Sequence, residues 1–355
     1  MTTIQVRRDT AANWAAKNPT PKAGEPCFET DTLKFKVGDG VTTYNNLPYY
    51  VNSVENLFTL LNDKLYDGVD LSVKFANEIK GFANVWAWIK DRIQKNNYSG
   101  IHVGDKIPFA LAGGTISDGT TSYNITAKTL YAQIAGIDTY YGYGDSTVGH
   151  HIDFISTACI GTNIPWNPQN NNNGTANQAN PWLASKLYAC LNGVNNYTTS
   201  AFNSVAHGYD ASSGGVLQML PTELQNVIIE KRLYAPTRYS ASGILTDTPS
   251  AAWLNQGKLW LPTEIEVQGS AICSGGSHDQ YGVDRNICGA PVQYPLFVGS
   301  NSYRNNKNKN RVNWWLSSVP SGSSAQACIV NNSGIANAHD CANAHITAPV
   351  CFRIG

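Results

Sequence analysis

The stretch Asn313-Trp314-Trp315-Leu316 opens the part of the sequence that decides the fold, and the chain closes on Pro349-Val350-Cys351-Phe352-Arg353-Ile354. Trp, Leu and Phe are residues that a fold buries, so both stretches are predicted to lie in a core. Residues 317–347, between them, are almost all Ser, Ala, Asn, Gly, His, Cys or short aliphatics. Short polar side chains in irregular order suit an exposed, adaptable surface. A rigid frame that carries such a surface is typical of a recognition module.

Length and charge bound the class of protein. The chain has 355 residues, of which 42% are hydrophobic and 14% are charged. This length suggests two or three domains, and the hydrophobic content is enough for a core. Lys plus Arg and Asp plus Glu both number 25, so the net charge is zero. A neutral chain argues against nucleic acid as a partner, because phosphate binding needs clustered positive charge.

No apolar stretch is long enough to cross a bilayer, and the amino terminus lacks an apolar signal-peptide core. We therefore expect no membrane insertion, and synthesis in a cytoplasm without export by a signal peptide. The one basic cluster, Arg304, Lys307, Lys309 and Arg311, is interpreted as a solvated loop.

Cysteine and histidine spacing gives no metal site. Eight cysteines are present and none has CxxC spacing, so no zinc site, other metal or cofactor is predicted. The thiols are expected to be free and mostly buried, with Cys273 and Cys288 unpaired. His150-His151 is interpreted as the start of a strand, with one imidazole inside and one outside.

Three segments follow one another along the chain, and the fold class is predicted to be α+β. Residues 1–50 are predicted to form a small β-rich domain of short strands and turns, which buries little and needs partners. Residues 51–97 are predicted to be a helical connector, and residues 98–355 one large α+β domain. In that domain we expect strands at 101–105 and 134–137, and helices at 183–191 and 220–232. The Asn-rich tract Asn167–Asn180 is predicted to be a long loop.

The connector has a heptad-like spacing. Apolar residues recur at steps of four, three, four, three and four, at Phe75, Ile79, Phe82, Trp86, Ile89 and Ile93. An upstream piece with the same spacing lies before Gly68, at Val54, Leu57 and Leu61. Two interpretations are open: a helix packed on its own domain, and an oligomer seam. For an oligomer seam, the bulky aromatics favour a coiled coil of three helices, and hence a homotrimer.

The variable region is placed at about residues 300–348. Its candidate ligand-contacting residues have short or polar side chains and flank the Trp pair: Tyr303, Asn305, Asn306, Asn308, Asn310, Ser318, Ser321, Ser323, Ala325, Ala327, Asn331, Asn332, Ala336, Asn337, Ala338, His339, Asp340, Ala342, Asn343, Ala344 and His345. The scaffold that should hold them is Trp314, Trp315, Leu316 and Phe352. No catalytic residue is predicted, because P-loop, HExxH, GxSxG and dinucleotide-binding motifs are missing from the sequence.

Several stretches resemble the C-type-lectin-fold variable proteins of diversity-generating retroelements: 149–156, 180–185, 258–267, 293–297, 314–318 and 348–353. The resemblance implies a C-type lectin fold over residues 98–355. In that family, adenine-rich Asn codons are randomised by error-prone reverse transcription. The Ser, Ala, Asn, His and Asp of residues 317–347 are products of such codons, which implies that these positions are diversified ligand contacts.

The amino-terminal residues 5–14, 23–25, 29–32 and 35–40 resemble the first domain of phage major tropism determinants and many tail fibres. That resemblance implies a β-prism that trimerises and joins a fibre. Together the two resemblances predict a receptor-binding protein at the tip of a phage tail fibre. Its partners would be a host-surface receptor, protein or glycan, and other phage tail proteins, and it would be located in the virion.

The sequence also departs from relatives of the lectin fold. The calcium motifs of animal C-type lectins are missing, so calcium-dependent sugar binding is not carried over. Formylglycine-generating enzymes share the fold and need a reactive cysteine pair, for which Cys328, Cys341 and Cys351 are the candidates. A glycan depolymerase would need two carboxylates, and the variable region offers only Asp340. We expect no enzyme, and keep both activities and a ligand-free structural fibre as alternatives.

Overall fold

The computed structural model describes residues 7–32, 34–50, 68–143, 145–175, 177–195, 209–236, 251–274, 293–298 and 311–355. The chain divides into two compact units, residues 1–66 and residues 67–355. The upstream part of the predicted seam, at Val54, Leu57 and Leu61, lies outside the described residues.

The amino-terminal unit contains a three-stranded sheet in the order β1–β2–β3. Its strands are β1 (Arg7–Asp9), β2 (Pro26–Glu29) and β3 (Phe35–Val37). β1 runs parallel to β2, and β2 runs antiparallel to β3. Strands of three or four residues bury little apolar surface, so one helix supplies much of the small core.

That helix is α1 (Ala11–Lys17), which begins where the Thr10 side chain accepts the N–H of Asn13. Its Trp14 is buried and stacks on Tyr44, with 4.9 Å between the ring centroids. The Trp14 indole N–H donates to the carbonyl of Phe28 at 3.0 Å. The indole therefore ties the helix to β2 by packing and by a hydrogen bond together.

The second unit begins with three short helices instead of one long helix. They are α2 (Leu71–Lys74), α3 (Ala76–Ile79) and α4 (Val85–Gln94). The Asn84 side chain caps α4 by accepting the N–H of Ala87 at 2.9 Å. Trp86, Ile89 and Ile93 are buried in the same core as the main sheet, and the Trp86 ring meets the Phe352 ring edge-on. These heptad positions thus pack within the chain, and a coiled coil of the remaining connector stays a prediction.

The main sheet of the second unit has five antiparallel strands in the order β4–β7–β8–β15–β9. Its strands are β4 (Lys106–Leu111), β7 (Lys128–Ile137), β8 (Ile152–Cys159), β9 (Ile228–Ile229) and β15 (Pro349–Ile354). All six residues of β15 are buried. Phe352 faces the larger core, while Cys351 belongs to a second cluster with Trp260 and Tyr294. The end of the chain is therefore enclosed on both faces of the sheet.

A three-stranded sheet in the order β12–β13–β14 carries the predicted variable region. Its strands are β12 (Trp314–Trp315), β13 (Gln326–Val330) and β14 (Ala336–Asp340). Both pairings are antiparallel, with Trp314 opposite Val330 and Ile329 opposite Asn337. Ile329 lies in the larger core and Val330 in the second cluster, so β13 is buried on both faces. Among the described strands, β14 pairs with β13 alone and forms an edge.

The remaining elements surround these sheets. They are the ribbon of β5 (Gly114–Ser117) and β6 (Ser122–Ile125), the ribbon of β10 (Arg232–Pro236) and β11 (Ala251–Asn255), and the helices α5 (Lys186–Asn192), α6 (Thr222–Gln225) and α7 (Glu264–Gln268). In the part of the chain that the structure describes, no helix is long and apolar enough to cross a bilayer.

Several elements differ from the sequence-based expectations. Residues 101–105 form a turn before β4, and the predicted helix 220–232 is reduced to α6 and then becomes strand. Residues 134–137 do lie in a strand, the end of β7, and the helix expected at 183–191 begins at Lys186. Residues 265–267 are helical because Thr263 and Glu266 form a reciprocal capping box.

Candidate ligand-binding face

The scaffold residues lie at the centre of the second unit. Trp314, Trp315, Leu316 and Phe352 are all 0% exposed. The Trp315 backbone N–H donates to the Thr347 carbonyl at 3.0 Å, and its indole N–H to the Ile164 carbonyl at 3.0 Å. The Trp pair is thus held by backbone partners on both sides, as a frame requires.

The strand β14 and the loop after it lie at the surface, separated from the Trp pair on β12 by the strand β13. We call residues 331–345 the hairpin face. In its second half, Ala338–His345, every residue is exposed or half-buried except Cys341. The side chains of Asn337, Asp340, Ala344 and His345 are exposed. A ligand can therefore reach these short side chains without any movement of the frame.

Two of the predicted contact residues are buried, which corrects the prediction. Ser318 is 7% exposed, and its hydroxyl accepts the backbone N–H of Glu264 at 2.8 Å. Ala327 is 0% exposed, because it lies on β13 between two layers of core. Both have the composition of the variable region but belong to the frame.

The other candidates fall into three groups. Half-buried positions are Ser321, Ser323, Ala325, Asn331, Ala336, Ala338, His339, Ala342 and Asn343. Exposed positions are Asn332, Asn337, Asp340, Ala344 and His345. Positions outside the described residues are Tyr303, Asn305, Asn306, Asn308 and Asn310. Ligand binding by any of them remains a prediction.

The Asn-rich tract forms hydrogen bonds to β13, to the segment before it and to the hairpin face. The Asn172 amide donates to the carbonyls of Ser323 and Gln326, at 2.7 and 2.5 Å. The Asn170 side-chain oxygen accepts the N–H of Ala342 at 3.0 Å. Asn170 is therefore next to the face although it was not among the predicted site residues. Its only signal in the sequence is its place in the Asn run.

Asparagine side chains on the hairpin face have a common orientation. The side-chain oxygen of Asn337 accepts the N–H of Ala338 at 2.8 Å, and that of Asn343 accepts the N–H of His345 at 2.7 Å. The Asn313 oxygen likewise accepts the N–H of Asn332 at 2.8 Å. Each oxygen is thus used by the backbone, and the Asn343 amide nitrogen also lies 2.9 Å from Nδ1 of His339.

A buried polar network joins the strands β8 and β15 of the main sheet. Arg353 on β15 binds Asp153 on β8 through two hydrogen bonds of 2.7 and 2.8 Å, and the Tyr294 hydroxyl donates to the same carboxylate at 2.9 Å. Burial alone would raise the pKa of Asp153, but the Arg353 guanidinium outweighs it and holds the pKa to about 2. Next to it, Lys231 pairs with Glu266, and both are fully buried.

His151 and His150 have opposite environments, as predicted, but they precede the strand, since β8 begins at Ile152. His151 is buried, and the desolvation, helped by the charge of Arg353, lowers its pKa to about 4. His150 is half-buried, and its Nδ1 lies 2.7 Å from an Asp138 carboxylate oxygen. The other Asp138 oxygen accepts the Tyr98 hydroxyl at 2.9 Å. Asp138 and His150 therefore form an oriented acid–base pair at the surface.

The cysteines do not have the setting of reactive thiols. Cys328, Cys341 and Cys351 are 0% exposed and lie in apolar clusters. Cys273 is a free thiol, and burial, helped by the charge of Glu264, raises its pKa to about 11. Reactive thiols lie in partly exposed, electropositive settings, so the cysteine-oxidase alternative has no support in these buried residues. In the part of the chain that the structure describes, no cluster of three or more His, Cys, Asp or Glu could hold a metal.

Two protein families match the chain. Residues 155–355, more than half of it, match the family described as Domain of unknown function (DUF6273). The chain belongs to this family. Residues 4–42 match the Major tropism determinant N-terminal domain. The second match confirms the predicted resemblance of the amino-terminal unit, and it supports a tropism-determinant-like phage tail-fibre protein located in the virion.

Solved structures match shorter stretches. A full-length streptococcal bacteriophage hyaluronidase with bound hyaluronan octasaccharides is 38% identical over 14% of this chain and 14% of its own, with a TM-score of 0.14. A hyaluronidase trimer in complex with ascorbic acid is 29% identical over 26% of this chain and 29% of its own, with a TM-score of 0.17. A group A streptococcal phage-encoded tail fibre with hyaluronan lyase activity is 28% identical over 28% of this chain and 32% of its own, with a TM-score of 0.17. No curated protein matches the chain.

The chain spans from 14% to 32% of the length of these three structures. Two of them are hyaluronidases, and the third is a tail fibre with lyase activity. These matches contradict the expectation that the protein is not an enzyme, and that expectation is withdrawn.

Proposed function

We propose that the protein is a receptor-binding protein of a phage tail fibre, and that its second unit has a C-type lectin fold. The amino-terminal unit would join the fibre, and the hairpin face would contact the host surface. One observation carries this proposal: short exposed side chains of β14 and its loop belong to the same sheet as the fully buried Trp314 and Trp315, with the buried strand β13 between them. Side chains on such a frame can change without loss of the fold.

We also propose that the exposed positions of the hairpin face are diversified through adenine-rich codons. The buried Ser318 and Ala327 are excluded from this set, because their side chains are enclosed by the protein. Asn337, Asp340 and Ala344 are exposed members of this set. Sequences of the same locus across a phage population should vary at these three positions and stay constant at Ser318 and Ala327.

Assembly as a homotrimer is part of the proposal. A single small polar face binds weakly, and three faces on one fibre tip raise the avidity by orders of magnitude when they engage one surface. The residues that would form the trimer are the amino-terminal unit and the part of the connector before residue 68.

A steric variant tests the proposal directly. Ala344→Tyr places a large ring on the exposed loop, and we expect the fluorescently labelled protein to bind host cells about tenfold less, or to bind different cells, with unchanged melting. The matched control is Ala112→Tyr, which adds the same ring at an exposed position before β5. Equal cell binding by both variants and the parent would contradict the proposal.

Glycan cleavage is the second candidate function. The observation that favours it is the oriented Asp138–His150 pair, whose imidazole stacks on the half-exposed Tyr141 with centroids 4.0 Å apart. A histidine held by a carboxylate is suited to general acid–base chemistry. Incubation with host capsule should then release reducing ends or unsaturated sugars, and His150→Ala should abolish the release. Capsule that stays intact with the parent protein would eliminate this candidate.

A further inference from the structure

The direction of the backbone groups on β14 follows from its partner strand. The Cys328 N–H donates to the Ser318 carbonyl at 2.9 Å, and the Cys328 carbonyl accepts the N–H of Leu316 at 3.0 Å. Both groups of Cys328 thus point away from β14. Ala338 stands opposite Cys328, so its own N–H and carbonyl point outward, away from the sheet. Alternation along the strand gives Ala336 and Asp340 the same direction.

Half of these outward groups are already used by the chain itself. The Ala338 N–H donates to the side-chain oxygen of Asn337, and the Asp340 N–H donates to Nδ1 of His339 at 3.0 Å. The Asp340 carbonyl accepts the N–H of Asn343 at 2.9 Å. An added strand would need these groups for its own ladder. The edge of β14 is therefore closed to a partner that binds by strand addition.

Separated, uncharged donors and acceptors remain for a partner on the hairpin face, beside the charged Asp340 and the exposed Ile335. The carbonyls of Ala336 and Ala338 point outward as acceptors. The amide nitrogen of Asn337 is a donor, since its oxygen is held by the backbone. The amide nitrogen of Asn343 lies 2.9 Å from Nδ1 of His339, which leaves one of its two N–H groups for a ligand. Such a pattern matches hydroxyl groups, each of which can donate and accept.

Charge and side-chain type further limit the chemical class of the ligand. Asp340 is the only formally charged residue between Asn313 and Phe352, and residues 161–180 have none. A polymer rich in carboxylate or sulfate would need Lys or Arg at the contact. Protein interfaces rely on Trp, Tyr or Arg anchors, and the described hairpin face, residues 331–345, contains none of these.

We propose that the hairpin face binds an uncharged, hydroxyl-rich glycan of the host surface, held by amide donors and backbone carbonyls. This proposal rests on the receptor-binding function proposed above and names the ligand class for it. The side chains that would orient the glycan are Asn337 and Asn343. Backbone carbonyls contribute contacts that diversification leaves unchanged.

The experiment compares the full chain on host cells treated in two ways. Periodate, which cleaves vicinal diols of sugars, should abolish binding, while protease treatment of the cells should leave it. Asn337→Ala should weaken binding about tenfold, since it removes a donor at the contact. The matched control Asn124→Ala, at an exposed position on β6, should bind as the parent does. Hyaluronan, an anionic polysaccharide, should not compete, and added salt should change the affinity little.

The two proposals fail in different ways. Loss of binding after protease, with binding kept after periodate, would overturn the glycan proposal and leave receptor binding intact. Competition by hyaluronan would overturn the uncharged class. Cell binding that no hairpin-face substitution alters would overturn the receptor-binding function of this face and, with it, the glycan proposal.

Discussion

At the scale of single residues, the frame and the face differ in what a substitution costs. Trp315 is fully buried and has two backbone-partnered hydrogen bonds. We expect Trp315→Ala to lower the free energy of unfolding by about 3–5 kcal/mol, as large core truncations do. Urea denaturation followed by circular dichroism would measure it. Asn332→Ala, at an exposed position, is the control and should change the free energy by under about 0.5 kcal/mol. A small loss for Trp315→Ala would mean that it is not the anchor.

Asparagines of the face are not fully independent of the fold. Asn343 uses its oxygen for the His345 N–H, and its nitrogen lies 2.9 Å from Nδ1 of His339. Replacing it by Ala should cost about 0.5–1.5 kcal/mol, the usual net value of a hydrogen bond. Diversification at such a position should therefore favour residues that can still accept a backbone N–H, such as Asp or Ser.

The buried His151 makes stability depend on pH. Its pKa is lowered to about 4 by burial and by Arg353, from 6.5 in an unfolded chain. The unfolded chain therefore takes up this proton first, and the stability from neutral His151 is complete above pH 6.5 and lost as the pH falls to 4. The loss should amount to about 3 kcal/mol.

Unfolding free energies at several pH values would measure this loss. His151→Asn should show a shallower fall than the parent over the same range, while the exposed His345→Asn should follow the parent. Parallel profiles for the parent and His151→Asn would show that another group carries the pH dependence.

At the scale of elements, substitutions can expose the outward N–H groups of the edge strand β14 to a second chain. The double variant Asn337→Ala with His339→Ala removes the side chains that accept the outward N–H groups of Ala338 and Asp340. Unpaired edge donors invite pairing with another chain. We expect sedimentation to show concentration-dependent self-association beyond the state of the parent. The control, Asn332→Ala with His345→Ala, removes the same residue types from the neighbouring turn and loop. Identical sedimentation of both double variants would show that the edge is not protected by these side chains.

The elements also show what could be read from the sequence. Apolar clusters at 314–316 and 349–354 predicted buried segments, and both are buried strands or their continuation. The heptad spacing of Phe75 to Ile93 was ambiguous, because one apolar stripe can pack on a partner helix or on a sheet. Here Trp86 meets Phe154 and Phe352 of the main sheet. Spacing alone contains no information on which surface lies opposite.

The candidate face was predictable in outline, but its exact members were not. Composition placed Ser318 and Ala327 among the contacts, since small residues occur both on surfaces and in tight cores. In the structure, Ala327 lies on the central strand β13, whereas its pairing partner His339 lies on the edge strand β14. Asn170 was missed because its contact with Ala342 joins positions far apart in the chain. Such long-range pairings are set by tertiary structure and leave no local pattern.

At the scale of the whole molecule, assembly should come from the first part of the chain. Sedimentation equilibrium of the full chain should give the mass of a trimer. Removal of residues 1–67 should give a monomer that still melts cooperatively, because residues 67–355 form a separate compact unit. Binding of the monomer to host cells should fall by orders of magnitude through lost avidity. A full chain that sediments as a monomer would contradict the proposed assembly.

The most direct test of the account is a library randomised at Asn337, Asp340 and Ala344 together, with melting temperature and cell binding measured for each member. The proposed division between frame and face predicts that most members melt close to the parent while their binding ranges from none to altered cell specificity. A library whose members mostly fail to fold, or fold and all bind as the parent does, would contradict it.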